Sequence, residues 1–440
     1  MRKGNWLFKT IGIALLALFA ATLLAGCYDS REIDDMAYVV SLGLDKGKTN
    51  ALRLTIQIAI PVATGAGSSG NEGGGGGEGS DSSFITTIET PTLYSGLNMA
   101  NNYISKQLNM SHAKVIVISE EIAREGVQRY VNAIMRGREF RGNMFVLVSK
   151  GKAEEFIKET KPKFEVNPAK YFELNLMSYR YTGFIANTQL INFYLQEKCT
   201  CSQAVAILGG VNRFQSAEDF DLNGSTYLEK GKPFPMEGDF IAGEVPRIGM
   251  IKSEFMGLAV FDGDKMVGEL DGEEANYYLM LTGKYENSFF TVPDPLVKDY
   301  FVVLSLKTSR PPERKVTMSG DIPHISAKVK LEADILSIQS GKNYEDPKNV
   351  HLLEAATEEY IRNSMQKLLY KTSKELKTDI FGFGKSIKGT FLTWQDWIDF
   401  NWLDKYKNAT FDVSVDFKIR RPGLMIRSTP IYSSEGMMYD

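Results

Sequence analysis

Three cysteines and three histidines are the side chains of this 440-residue chain best suited to redox, metal or nucleophilic chemistry. Their spacing suits none of it. One residue separates Cys199 from Cys201, whereas dithiol redox sites usually leave two, as in Cys-x-x-Cys. A labile disulfide is one reading; two boundary cysteines without function is the one expected. His112, His324 and His351 lie far apart, no motif surrounds any of them, and zinc would need ligands that are not near the cysteines. Asp262, Asp264 and Glu273 have part of a calcium-loop spacing, but the sixth position, which should be Gly, is Val267. Asp262-Gly263-Asp264 between two apolar runs predicts a β-hairpin instead. From Thr64 to Ser83, nine of twenty residues are Gly and five are Ser. A phosphate-cradling loop would need a Lys and a Ser or Thr at a helix start. This stretch has no Lys and carries Glu72, Glu78 and Asp81, so a disordered hairpin tip is expected. No catalytic, cofactor or metal residue is assigned, and the chain is not expected to be an enzyme.

The third cysteine has a different context. Arg2, Lys3 and Lys9 precede an uncharged apolar run, Ile11 to Ala25, which is shorter than the roughly 20 residues that span a bilayer as a helix. This is the pattern of a secretory signal peptide. It ends in Leu24-Ala25-Gly26-Cys27, which resembles the lipobox of bacterial lipoproteins. That resemblance implies a diacylglyceryl group on the Cys27 thiol and cleavage before it. Two acyl chains hold stably where one does not. The remaining 414 residues lose three basic and no acidic residues and carry net −6, against −3 for the whole chain. Neither balance suggests nucleic-acid binding.

The elements that must carry these residues can be read from periodicity. The length suggests about three domains. Met36 to Leu44 reads as a buried strand, and Leu52 to Ile60 alternates as a half-buried one. Phe84 to Glu89 resumes the sheet beyond the Gly-rich insert, Thr92 to Gln107 is helical, and Val115 to Ile118 and Met144 to Val148 are short strands. Helices are expected from Ser119 to Met135 with breaks, Lys152 to Glu159, and Phe184 to Leu195. Further strands are expected at Ala204 to Val211, Phe255 to Phe261, Lys265 to Leu270, Ser288 to Val292, Tyr300 to Lys307, Lys315 to Met318, His324 to Ile335 and Phe411 to Ile419. Asn349 to Lys377 is a long helix, its polar face covered by Glu, Lys and Arg. Trp394, Trp397, Ile398 and Trp402 fall on one face of a second helical stretch, and burial on a sheet is expected for them. Arg136 to Arg141 reads as either a contact surface or an internal ion-pair turn, and the second is expected because the run precedes a buried strand. The fold class is therefore α+β, with mixed or antiparallel sheets packed by helices. The expected divisions are a signal peptide (1–26), an N-terminal domain (27–200, with insert 64–83), a middle domain (201–285), a C-terminal domain (286–422) and a patternless tail (423–440).

Several local runs, in order, resemble the C-subunit lipoproteins of bacterial spore germinant receptors, the Ger(x)C family. They are Tyr28-Asp29-Ser30-Arg31-Glu32-Ile33, with Tyr where Trp is more usual, and Ser111-His112-Ala113-Lys114. Arg136-Gly137-Arg138-Glu139-Phe140-Arg141 fits except for a missing Pro. Gly257-Leu258-Ala259-Val260-Phe261 leading to Asp264-Lys265-Met266-Val267-Gly268-Glu269-Leu270, and Asp379-Ile380-Phe381-Gly382-Phe383-Gly384, match closely. The resemblance implies three mixed α/β domains, no enzymatic activity, and partnership with an A subunit and a transporter-like B subunit. It implies a place on the outer face of the spore inner membrane, held by the lipid on Cys27. The competing expectation is a solute-binding lipoprotein delivering a nutrient to a transporter, which requires two βαβ lobes around a cleft.

Overall fold

The computed structural model describes residues 4–23, 32–48, 52–60, 82–165, 167–220, 235–423, 425, 431–432, 434 and 438–439. Cys27, the Gly-rich stretch up to residue 81 and most of the expected tail lie outside them. The N-terminal apolar run forms helix α1 (Gly4–Leu23). No described helix is long and apolar enough to cross a membrane.

A nine-stranded mixed sheet comes first. Its strands are β1 (Met36–Lys46), β2 (Leu52–Ala59), β3 (Ser83–Thr90), β4 (Gln107–Asn109), β5 (Val115–Ser119), β6 (Phe145–Ser149), β7 (Val205–Val211), β8 (Ser253–Asp262) and β9 (Lys265–Leu270). The order is β3-β2-β1-β5-β6-β7-β8-β9, with β4 paired to the start of β1. β1, β5, β6 and β7 run parallel, and antiparallel hairpins finish both edges. Helices α2 (Leu93–Tyr103), α3 (Glu120–Glu125), α4 (Gln128–Arg136) and α7 (Leu190–Glu197) share a core on one face. Helices α5 (Ala153–Glu159) and α6 (Pro168–Leu176) cover the other. Successive strand residues point to opposite faces, so Ile116 and Ile118 enter the first core while Val115 and Val117 enter the second.

Two-sided cover changes the reading of β2. Its alternation predicted one wet face, yet Thr55 and Gln57 are buried. Gln57 is satisfied there, its Oε1 accepting from Ser41 Oγ at 2.7 Å and its Nε2 donating to Ser83 Oγ at 3.1 Å. The helix expected over Phe184 to Leu195 begins only at Leu190, because the stretch before it pairs with the sheet: Val146 N–H donates to Thr188 O and Gly257 N–H to Phe184 O. The joint expected near residue 200 does not interrupt the architecture. β7, β8 and β9, placed in a separate middle domain by the sequence, continue the first sheet.

A second, four-stranded sheet follows, in the order β10 (Asn287–Pro293), β11 (Phe301–Ser319), β12 (Ile322–Ile338), β13 (Thr410–Arg421). The two strands expected around residues 300–318 are one. Pro311 and Pro312 fall at a register shift between Arg310 and Glu313, where a missing ladder N–H is tolerated. Between it and the first sheet lies α8 (Gly272–Thr282), opened by a capping box from Asp271 and Glu274. Helix α9 (Pro347–Tyr370) packs along β13 and runs into a π-turn over Lys371–Glu375. Three short helices complete the layer: α10 (Gly384–Lys388), α11 (Trp394–Phe400) and α12 (Trp402–Tyr406). Asn401, at φ 49°, breaks the helix expected to hold the tryptophans. That break sets Trp402, which is buried, on the next helix, and within α11 itself Trp397 is buried while Trp394 and Ile398 are exposed. In the expected tail, Ile431–Tyr432 and Met438–Tyr439 pair as a two-stranded ladder.

One core joins the two sheets. Val205, Leu258 and Val260 of the first sheet cluster with Tyr278 of α8, Leu304 of β11 and Phe381. Two lobes hinged around a cleft, as a solute-binding lipoprotein requires, are not what these sheets form.

Candidate functional site

The run Asp379 to Gly384 builds the joint between the sheets. Asp379 is buried, and its carboxylate accepts N–H bonds from Phe381 (3.1 Å), Gly382 (2.9 Å), Gly384 (3.1 Å) and Trp402 Nε1 (2.9 Å). Burial pushes its pKa up to about 6, although all four donors pull it down. Its carbonyl accepts from Gln203 N–H at 2.7 Å, just ahead of β7. Thr378 Oγ1 donates to Phe261 O at 2.9 Å, at the end of β8. Gly384 has no room for a side chain: a Cβ would stand 2.6 Å from both Cys201 O and the Trp402 ring. Trp397 Nε1 donates to Thr200 Oγ1 at 2.7 Å and pins α11 to the same segment. Cys199 and Cys201 are joined as a disulfide, not left as two free boundary thiols. Upstream, Gly257 takes φ +86°, and a Cβ there would lie 2.4 Å from Leu270 O. Glycine is required by that close strand approach. These bonds tie the groups to one another, so the joint holds parts together.

The other residues singled out in the sequence are scattered. His112 packs edge-on against Tyr38, His324 Nδ1 bonds Thr410 Oγ1, and His351 Nδ1 bonds Glu354 Oε2. The calcium spacing is dismantled. Asp264 serves α4, its backbone O accepting from Val127 N–H and its carboxylate from Gln128 N–H. Glu273 accepts from the hydroxyls of Tyr277 and Tyr360. Among the described residues no cluster of three or more His, Cys, Asp or Glu could hold a metal.

The Arg136 to Arg141 loop is not the internal ion-pair turn expected. Arg136, Arg138 and Arg141 are exposed, and none has an ion pair among the described residues. The loop follows α4 and borders an open groove of about 370 Å³ lined by Tyr94, Asn98, Asn101, Gln107, Glu139 and Phe140, among others. Tyr94 Oη ties α2 to α4 by donating to Ala133 O at 3.3 Å, and Asn101 Oδ1 accepts from Leu108 N–H at the groove floor. Sequence reasoning missed the joint donors Gln203, Thr378 and Trp402, whose partners lie 23 to 176 positions away and leave no periodic signal.

Residues 29–200 match the family described as spore germination protein N-terminal domain, and residues 256–423 the one described as spore germination B3/GerAC like, C-terminal. Spore germination protein KC of Bacillus subtilis (strain 168) is 25% identical over 425 residues, covering 95% of this chain and 97% of that protein. Spore germination protein GerQC of Bacillus cereus is 22% identical over 412 residues, 93% of this chain and 98% of that protein. The crystal structure of the GerBC protein superposes with a TM-score of 0.50 at 16% identity, covering 86% of this chain and 96% of that one, a likeness of fold.

Proposed function

The chain belongs to the GerAC family of spore germination proteins, and on that premise we propose that it is the lipid-anchored, extracytoplasmic C-type subunit of a germinant receptor. It sits on the outer face of the spore inner membrane, held by a diacylglyceryl group on Cys27. It scaffolds or tunes the A and B membrane subunits and performs no catalytic step. The observation that carries this reading is similarity to spore germination proteins along nearly the whole chain, with both ends of the mature part matched. The Leu24-Ala25-Gly26-Cys27 run after a basic, apolar leader supports the anchor. A scaffold role also fits the Asp379 to Gly384 run, whose polar atoms serve the joint.

Replacing Cys27 with Ala tests the anchor directly. Membrane retention and nutrient-triggered germination are both expected to fall, and if neither changes the anchor has no part in the function. Co-purification from detergent with two multi-span membrane proteins is expected of the wild-type chain. Micromolar binding of a nutrient by the isolated chain in calorimetry would favour the solute-delivery alternative.

A further inference from the structure

Because β1, β5, β6 and β7 are parallel, the segments leading into them meet at one end of the first sheet. Three surfaces gather there. The loop into β6 exposes Arg136, Arg138 and Arg141. Helix α7, leading toward β7, exposes Ile191 and Leu195 one turn apart, and Ile191 lies against Gly142 of the arginine loop. Helix α11, pinned to Thr200 ahead of β7, exposes Trp394 and Ile398 one turn apart, and Leu392 before it is 98% exposed. Lys388 Nζ stands 4.6 Å from the centroid of the Trp394 ring. Large apolar side chains exposed together, as Leu392, Trp394 and Ile398 are, mark a contact.

The geometry points to the lipid surface of the membrane as the occupant. This inference rests on the lipid anchor proposed above. Cys27 precedes Met36, the first residue of β1, by nine residues. Fully extended, that tether reaches about 30 Å, so this end of the sheet is the one held near the headgroups. Tryptophan with Lys and Arg beside it suits the interfacial zone, where the ring sits at headgroup depth and the cations meet phosphate. Glu32, Asp34 and Asp35 are exposed just ahead of β1 and oppose the arginines. Asp396 and Asp399 of α11 are turned to local bonds, with Thr393 N–H and Gln395 Nε2. Adsorption by net charge alone is therefore weak, and insertion of Leu392 and Trp394 makes the contact.

The test uses the full lipoprotein reconstituted into vesicles of phosphatidylcholine and phosphatidylglycerol carrying a lipid brominated near the headgroup. Flotation reads the anchor; quenching of tryptophan emission reads the surface. Trp397 and Trp402 are buried and out of reach, and Trp6 is removed with the leader in a chain cut before Cys27. Emission is expected to drop with the brominated lipid, and the drop to vanish in Trp394→Phe and shrink in Leu392→Asp. Both positions are exposed, so these variants keep the fold. A chain that floats without quenching, or with quenching unchanged in Trp394→Phe, overturns the proposal and leaves the patch to a protein partner. A chain that does not float overturns the anchor itself, and the surface assignment falls with it.

Discussion

Asp379 is the residue on which the joint depends most, because one carboxylate closes four N–H groups that have no water to turn to. Replacement by Ala orphans all four donors and is expected to cost about 3 kcal/mol or more, read as a fall in the urea midpoint. Asn is the informative variant, since it retains an accepting oxygen without a charge. The pH dependence has a definite sign. The native pKa, about 6, stands above the ordinary 3.8, so the folded chain holds this proton more tightly than the unfolded one. The cost of burying the charge is present in full above pH 6 and disappears as pH falls through 6 toward 3.8. Wild type should therefore gain about 2 kcal/mol relative to Asp379→Asn between pH 7.5 and pH 4. Melting curves of the two chains across that range check it, and a constant difference between them contradicts it. The sequence displayed Asp379 and its glycines as a run; it did not display Trp402 or Gln203 as their partners.

Among the elements, α9 and β13 show how a helix closes an exposed strand edge. β13 pairs with β12 on one side only. On the other side its N–H groups at Phe417 and Ile419 donate to Glu358 Oε1 (3.0 Å) and Glu354 Oε1 (2.9 Å) of α9. An open edge would invite pairing with another chain. Burial pushes the Glu354 carboxyl up, but the Ile419 N–H, His351 and Lys418 outweigh it and hold it below the usual carboxylate range. Its stabilising effect is thus present at neutral pH and lost as acid protonates it. Glu354→Ala should cost about 1–3 kcal/mol and raise the tendency to associate, measured by denaturation and by light scattering. Periodicity made α9 legible and assigned its glutamates to a solvated face. The strand they serve lies some 60 residues further on, beyond the range of any local pattern. The tryptophan stretch failed within a single element: on the helix before Asn401, Trp397 is buried while Trp394 and Ile398 stay exposed, and the left-handed Asn401 sets Trp402 on the next helix.

At the scale of the molecule, the shared core makes the two sheets one folding unit. A chain stopped at residue 285 keeps β7 and β8 but loses the partners of Val205, Leu258 and Val260 in the second sheet. Such a truncation is expected to aggregate on size-exclusion chromatography, while the full chain unfolds in one transition. Two resolved transitions in the full chain would contradict the common core.

The sequence by itself determined most strands and helices, the mixed α/β class and the family, because each is written in neighbouring residues or in the order of short runs. Tertiary structure alone decided that β7, β8 and β9 extend the first sheet, that Thr55 and Gln57 are dry, that the Arg136 to Arg141 loop faces outward, and which tryptophan of the 394–402 stretch is exposed. Each of these depends on what packs against a segment from far along the chain. Burial and partnership belong to pairs of elements, and a single element's periodicity carries only its own half of the pair.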